Sequence, residues 1–201
     1  SIGEFARVRG EDERARHAYA ASLDIFEQLG DRRAEYTLLY NLGFIAQHKG
    51  DHGEAIRLLR RSLALCQELG VPAEVARELL ALAGSLGVEG DPASAVRLFA
   101  AADACLQQSG ALLDPDDLPE HERNISFLRA ALGNQRFDAA WAEGQAMALD
   151  EAAAYACTAA DTALAPARAT GPAPGRTDDD GLTRREREVA HLIADGRSNR
   201  E

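Results

Sequence analysis

The side chains able to do chemistry are few and widely spaced. His48 and His52 flank a Gly50-Asp51 pair. A turn there would take the two imidazoles off the shared helical face that joint metal ligation requires. Asp114, Asp116, Asp117 and Glu120 cluster around Pro115 and Pro119. They lack the alternating ligand spacing and central glycine of a calcium loop, so a solvated turn is the expectation. Ser62, Ser85 and Cys105 are potential nucleophiles without a base that the sequence can identify beside them. Cys66, Cys105 and Cys157 are odd in number and contain no C-x-x-C pair, and we expect reduced thiols in the core. No G-x-x-x-x-G-K-[ST] phosphate loop occurs. The expectation is a non-catalytic chain with no cofactor or metal, so function should lie in surfaces and in the elements that build them.

Those elements repeat. Gly10-Glu11, Gly50-Asp51 and Gly90-Asp91 follow one another at 40-residue steps, and so do Leu29-Gly30, Leu69-Gly70 and Ser109-Gly110. Further columns are Ala15, Ala55 and Ala95; Tyr19, Leu59 and Phe99; and Ile2-Gly3, Leu42-Gly43 and Leu82-Ala83. Each column has a use. Glycine lets a helix end in a left-handed turn, the following acid favours the next helix start, and alanine lets two helices approach closely. The unit is therefore a helical hairpin, with its first helix expected over about 36–49 and its second over about 53–69 in the middle copy. One hairpin cannot bury its apolar face alone, so neighbours should stack into a solenoid.

Leu42, Gly43, Ala46, Gly50, Asp51, Ala55 and Leu59 resemble the tetratricopeptide repeat (TPR), although the period is longer and the family's tryptophan and several aromatics are missing. The resemblance implies an all-α, TPR-like α-solenoid of antiparallel hairpins over residues 1–110. It also implies a concave face lined by first helices, on which Tyr40, Phe44, Gln47 and His48, joined by Arg77 from the next hairpin, are candidates for partner binding. Packing between repeats is an equally good use for Tyr40 and Phe44. Because Ile2, Gly3 and Ala6 already occupy repeat columns, the native chain is expected to extend upstream.

Past Gly110 the period breaks. Residues 111–164 read as degenerate, capping helices, with Phe137, Ala140, Trp141 and Met147 packing a terminal cap. Residues 165–181, with Pro166, Pro172, Pro174 and Asp178-Asp179-Asp180, have the composition of a flexible linker. From Leu182 a new helix is announced by a capping box, Thr183 with Glu186. Val189, Leu192 and Ile193 form its apolar stripe, Gly196 ends it, and a second box follows at Ser198 and Glu201. Residues 182–201 are similar to the opening of the LuxR-type helix-turn-helix. That resemblance implies a bacterial transcription regulator whose recognition helix would lie further downstream, with Ser198, Asn199 and Arg200 near the DNA backbone at most.

Charge agrees with that division of labour. The chain carries a formal -11, from 33 acids against 22 Lys and Arg, so as a whole it repels nucleic acid and anionic membranes. Any DNA binding must be local. Residues 182–201 hold five arginines against four acids. The expected role is a sensing or protein-interaction region that couples an upstream signal to a DNA reader and binds a protein, peptide or small signal ligand on its repeat surface. DNA would be bound only through the complete parent protein. A TPR-type adaptor with no DNA role is the alternative. No apolar run approaches the ~20 residues of a membrane helix, and no secretory leader is evident, so a cytoplasmic location without a membrane partner is expected.

Overall fold

The computed structural model describes residues 12–89, 91–111 and 118–165. The chain divides into two units, Ser1–Leu164 and Ala165–Glu201, and the described structure belongs almost wholly to the first. Residues 166–201 lie outside the described residues. The linker past Ala165, the expected helix-turn-helix opening and Ser198, Asn199 and Arg200 fall there; residues 1–11, 90 and 112–117 also lie outside the described residues.

Among the described residues the chain is an all-α, TPR-like solenoid without strands. Its helices are α1 (Asp12–Leu29), α2 (Arg32–His48), α3 (His52–Leu69), α4 (Pro72–Glu89), α5 (Pro92–Ser109), α6 (Leu118–Leu132), α7 (Asn134–Gln145) and α8 (Leu149–Leu164). Tight turns make α2–α3 and α4–α5 two antiparallel hairpins, and α1 holds the second-helix place of the unit before them. Asp31, Asp51 and Asp91 are the N-caps of α2, α3 and α5, accepting hydrogen bonds from the backbone N–H of Ala34, Glu54 and Ser94 at 3.0–3.1 Å. Such a cap satisfies one of the orphan donors of the first turn and is worth about 1 kcal/mol. At the other end of the turn Gly50 has φ +77°. That left-handed residue brings the Asp51 N–H back to the Ala46 carbonyl at 2.9 Å and closes α2.

The repeat columns become the seams between helices. Ala15, Ala55 and Ala95 are fully buried, and Tyr19, Leu59 and Phe99 are almost as completely enclosed. Gly43 lets α2 and α3 touch, because a Cβ there would lie 2.7 Å from Leu59 Cγ. Of the three thiols, only Cys66 is a core residue, while Cys105 and Cys157 are half-buried; all three are free.

Residues after Gly110 do more than close the end. α7 packs on α5, where Gly144 passes so close that a Cβ would meet the Arg97 carbonyl oxygen at 2.2 Å. Phe137 and Ala140 are buried there, with Trp141 and Met147 packed against the same core. α8 then runs back over α3, α4 and α5, tied down by an Arg60–Asp161 ion pair. Its buried face is a stripe of Ala152, Ala153, Ala156 and Ala160. Small side chains at helical spacing are what allow a helix to settle closely onto three others.

Candidate functional site

The candidate surface is built on α2. Residues 40, 44 and 48 are four apart, so their side chains stand one above another on one helical face. The ring centroids of Tyr40 and Phe44 are 6.2 Å apart and stacked, and those of Phe44 and His48 are 4.6 Å apart and edge-on. Tyr40 and Phe44 are half-buried and His48 is exposed. The ladder therefore presents partly accessible aromatic surface, the kind of rigid, amphipathic area that interfaces favour.

Gln47 behaves differently from its neighbours. Its Nε2 donates to the Ala81 carbonyl at 2.7 Å and to Ser85 Oγ at 2.8 Å, so its amide holds α2 to α4. Gly84 on α4 makes room for this: the space a Cβ would take there is bounded by Gln47 Nε2 at 3.4 Å and Asn124 Nδ2 of α6 at 3.3 Å. Arg77 pairs with Glu74 one turn earlier on its own helix, at 3.4 Å. The structure thus joins Tyr40, Phe44 and His48, gives Gln47 a packing role, and places Arg77 in an ion pair on the next hairpin.

His52 Nδ1 lies 3.5 Å from Ser85 Oγ, while His48 packs edge-on against Phe44. Among the described residues no group of three or more His, Cys, Asp or Glu is gathered to hold a metal ion. Burial pushes the Cys66 thiol up to about 12, which keeps it protonated and non-nucleophilic at neutral pH. Burial also raises the Cys105 thiol.

One polar feature escaped the reading of motifs. Ser62 on α3 and Glu78 on α4 are both buried, with Ser62 Oγ 2.5 Å from Glu78 Oε1 and 2.9 Å from the Tyr36 carbonyl oxygen of α2. The Tyr36 carbonyl and a Glu78 carboxylate can both only accept, and Ser62 has one hydroxyl hydrogen to donate. A carboxyl that kept its own proton would relieve that shortage. Desolvation acts the same way, holding the Glu78 pKa well above the usual carboxylate range. The sequence did carry a signal: one repeat earlier the place of Glu78 is Leu38, so an acid stands in an apolar column.

Comparison with known proteins agrees with the helical-repeat fold. The tetratricopeptide repeat family matches residues 1–68. Three curated relatives, one from Mycobacterium bovis and two from strains of Mycobacterium tuberculosis, each bear the name "Putative HTH-type transcriptional regulator" and are 37% identical over 120 residues. The match covers 60% of this chain and only 13% of each relative's length. No solved structure matches significantly. Among the described residues, no helix is long and apolar enough to cross a membrane.

Proposed function

We propose that this chain is the non-catalytic protein-interaction region of a transcription regulator of the LuxR type. Its repeats receive a protein, peptide or small signal ligand and pass the signal to a DNA-binding module that opens at Leu182. The observation that carries the reading is the 37% identity to chains named as HTH-type regulators, spread over 120 residues. The Tyr40–Phe44–His48 ladder is the surface offered to the partner, with Arg77 contributing charge from the next hairpin. Ser198, Asn199 and Arg200 contact the phosphate backbone. Such contacts position a protein on DNA without reading its sequence. The protein works in the cytoplasm.

Two measurements test this. In a reporter driven by DNA upstream of the gene, Phe44→Ala should cut the response at least about tenfold, the effect of losing an aromatic anchor, at unchanged abundance and melting temperature. An unaltered response would remove the ladder from the site. In mobility-shift titrations on the same DNA, the 201-residue chain should give no sequence-specific shift, because specific readout needs a helix in the major groove. A longer product carrying a whole LuxR-type module should bind, with an affinity that falls steeply with salt. Specific binding by the short chain would overturn the assignment of readout to the later helix. Failure of the longer product to bind would put the TPR-type adaptor in place of the regulator.

A further inference from the structure

The 40-residue repeat allows one part of the solenoid to be laid over the next, and doing so pairs an occupied groove with an open one. α8 lies against α3, α4 and α5. Asp161 pairs there with Arg60, and the Tyr155 hydroxyl lies 2.5 Å from Ser94 Oγ. The α8 alanines join the same core cluster as Leu82, Leu86 and Leu98. One repeat earlier, Arg60, Leu82, Leu86, Ser94 and Leu98 become Ala20, Leu42, Ala46, Glu54 and Leu58. All five of these line a half-open groove of about 420 Å³ formed by α1, α2 and α3. α3 is common to both grooves, so a helix in the open one would lie beside α8 and continue an interface the chain already makes.

The side chains indicate what such a helix must look like. The floor is aliphatic, with Leu42, Ile45 and Ala46 largely enclosed. At the mouth, Arg16 and Lys49 both pair with Glu13, so two cations share one carboxylate. The other acids of the lining are engaged: Asp51 caps α3 through the Glu54 N–H, and Glu54 pairs with Arg57 at 2.8 Å. An incoming acid would thus meet a cation at the mouth. Where α8 brings Asp161 to Arg60, the open groove has Ala20, with Arg16 one turn earlier on the same face of α1.

We propose that the groove of α1, α2 and α3 is a docking site for a helix of a partner protein, one that presents small apolar residues at i, i+4 and i+8 and an acidic residue beside that stripe. This site is independent of the aromatic ladder on α2. Its occupant copies the packing of α8 one repeat along the solenoid.

A fluorescein-labelled peptide of residues 149–164 carries the required stripe and three acids, Asp150, Glu151 and Asp161, and serves as the probe. Added to the intact chain, it should bind saturably, by anisotropy, and shift the methyl resonances of Ala20, Ala46 and Leu58. Ala20→Trp, which fills the groove, should weaken binding at least about tenfold, a loss of the size expected when a core contact is blocked. Arg60→Ala, which removes the anchor of the resident α8, should leave binding unchanged. A peptide with Gln at its 152, 156 and 160 positions should not bind. Absence of binding by the unaltered peptide, with no methyl shifts, would overturn the proposal. So would binding that responds to Arg60→Ala and not to Ala20→Trp, because the peptide would then be exchanging with α8 in its own seat. Concentration-dependent dimerisation of the chain that Ala20→Trp abolishes would give the groove to a second copy instead of a partner.

Discussion

Gly43→Leu should destabilise the solenoid by about 3 kcal/mol or more, the upper end of what overpacking a close-packed core costs. The reason is local and geometric. A Cβ at position 43 would stand 2.7 Å from Leu59 Cγ and 2.8 Å from Leu59 Cδ2, and Leu59 is fully buried, in the kind of close-packed interior that gives way little. α2 must then move off α3, which loosens the seam that both neighbouring hairpins pack against. At about 2–4 °C per kcal/mol for a chain of this size, the melting temperature should fall by roughly 6–12 °C. Removing the obstacle should restore part of the loss. In a double-mutant cycle of Gly43→Ala with Leu59→Ala, the two changes should couple favourably by about 0.5–3 kcal/mol, as residues in contact do. An unchanged melting temperature, or additive effects in the cycle, would mean that the two helices do not meet at this glycine.

The same seam shows why much of the fold could be read from sequence. Gly43, Gly50, Asp51 and Ala55 each act within a few residues of themselves, by permitting contact, reversing the chain, capping a helix or allowing close approach, and the 40-residue step repeats each action. Apolar spacing placed the first helix of the middle unit at about 36–49, whereas α2 begins at Arg32 because Asp31 caps it. For α3 the expected start near Gly53 moves to His52 because Asp51 caps that helix. Capping side chains outrank hydrophobic periodicity in setting where a helix begins.

The surfaces were harder to read, because their partners are distant in the chain. The resemblance put Tyr40, Phe44, Gln47 and His48 on one face, but nothing near Gln47 announces its bonds to Ala81 and Ser85, more than 30 residues on. Arg60 and Asp161 are 101 residues apart, and without that pairing α8 reads only as a terminal cap. Its return over α3, α4 and α5 is what turns the repeat symmetry into a statement about an open groove.

Glu78→Gln should stabilise the chain increasingly as pH rises, and the sign follows from where the proton sits. Glu78 is 2% exposed, its Oε2 has no hydrogen-bond partner, and its Oε1 lies 2.5 Å from the Ser62 hydroxyl. Burial raises its pKa in the folded chain, Ser62 opposes that rise, and the charge of Glu74 adds to it. Cys66 on α3 and Tyr36 on α2 are the other titratable groups around this pocket, and burial raises both of them as well. None of these supplies a cation to hold a Glu78 carboxylate.

Near pH 4 and below, folded and unfolded chains both carry the Glu78 proton, and its contribution to stability is fully present. Above the unfolded carboxyl's pKa of about 4.3, the unfolded chain releases a proton that the folded chain keeps. Stability must then fall by up to about 1.4 kcal/mol per pH unit until pH passes the raised folded value. Glutamine has nearly the same shape, can donate Nε2–H to Ser62, and does not titrate, so the variant lacks this slope. Denaturant unfolding of both proteins at intervals from pH 4 to pH 8 should therefore give stabilities that nearly coincide at the acid end. The glutamine form should become progressively more stable toward the alkaline end. Parallel curves, or a glutamine form weaker throughout, would show that Glu78 is held as a carboxylate and that the proton in the 2.5 Å contact belongs to Ser62.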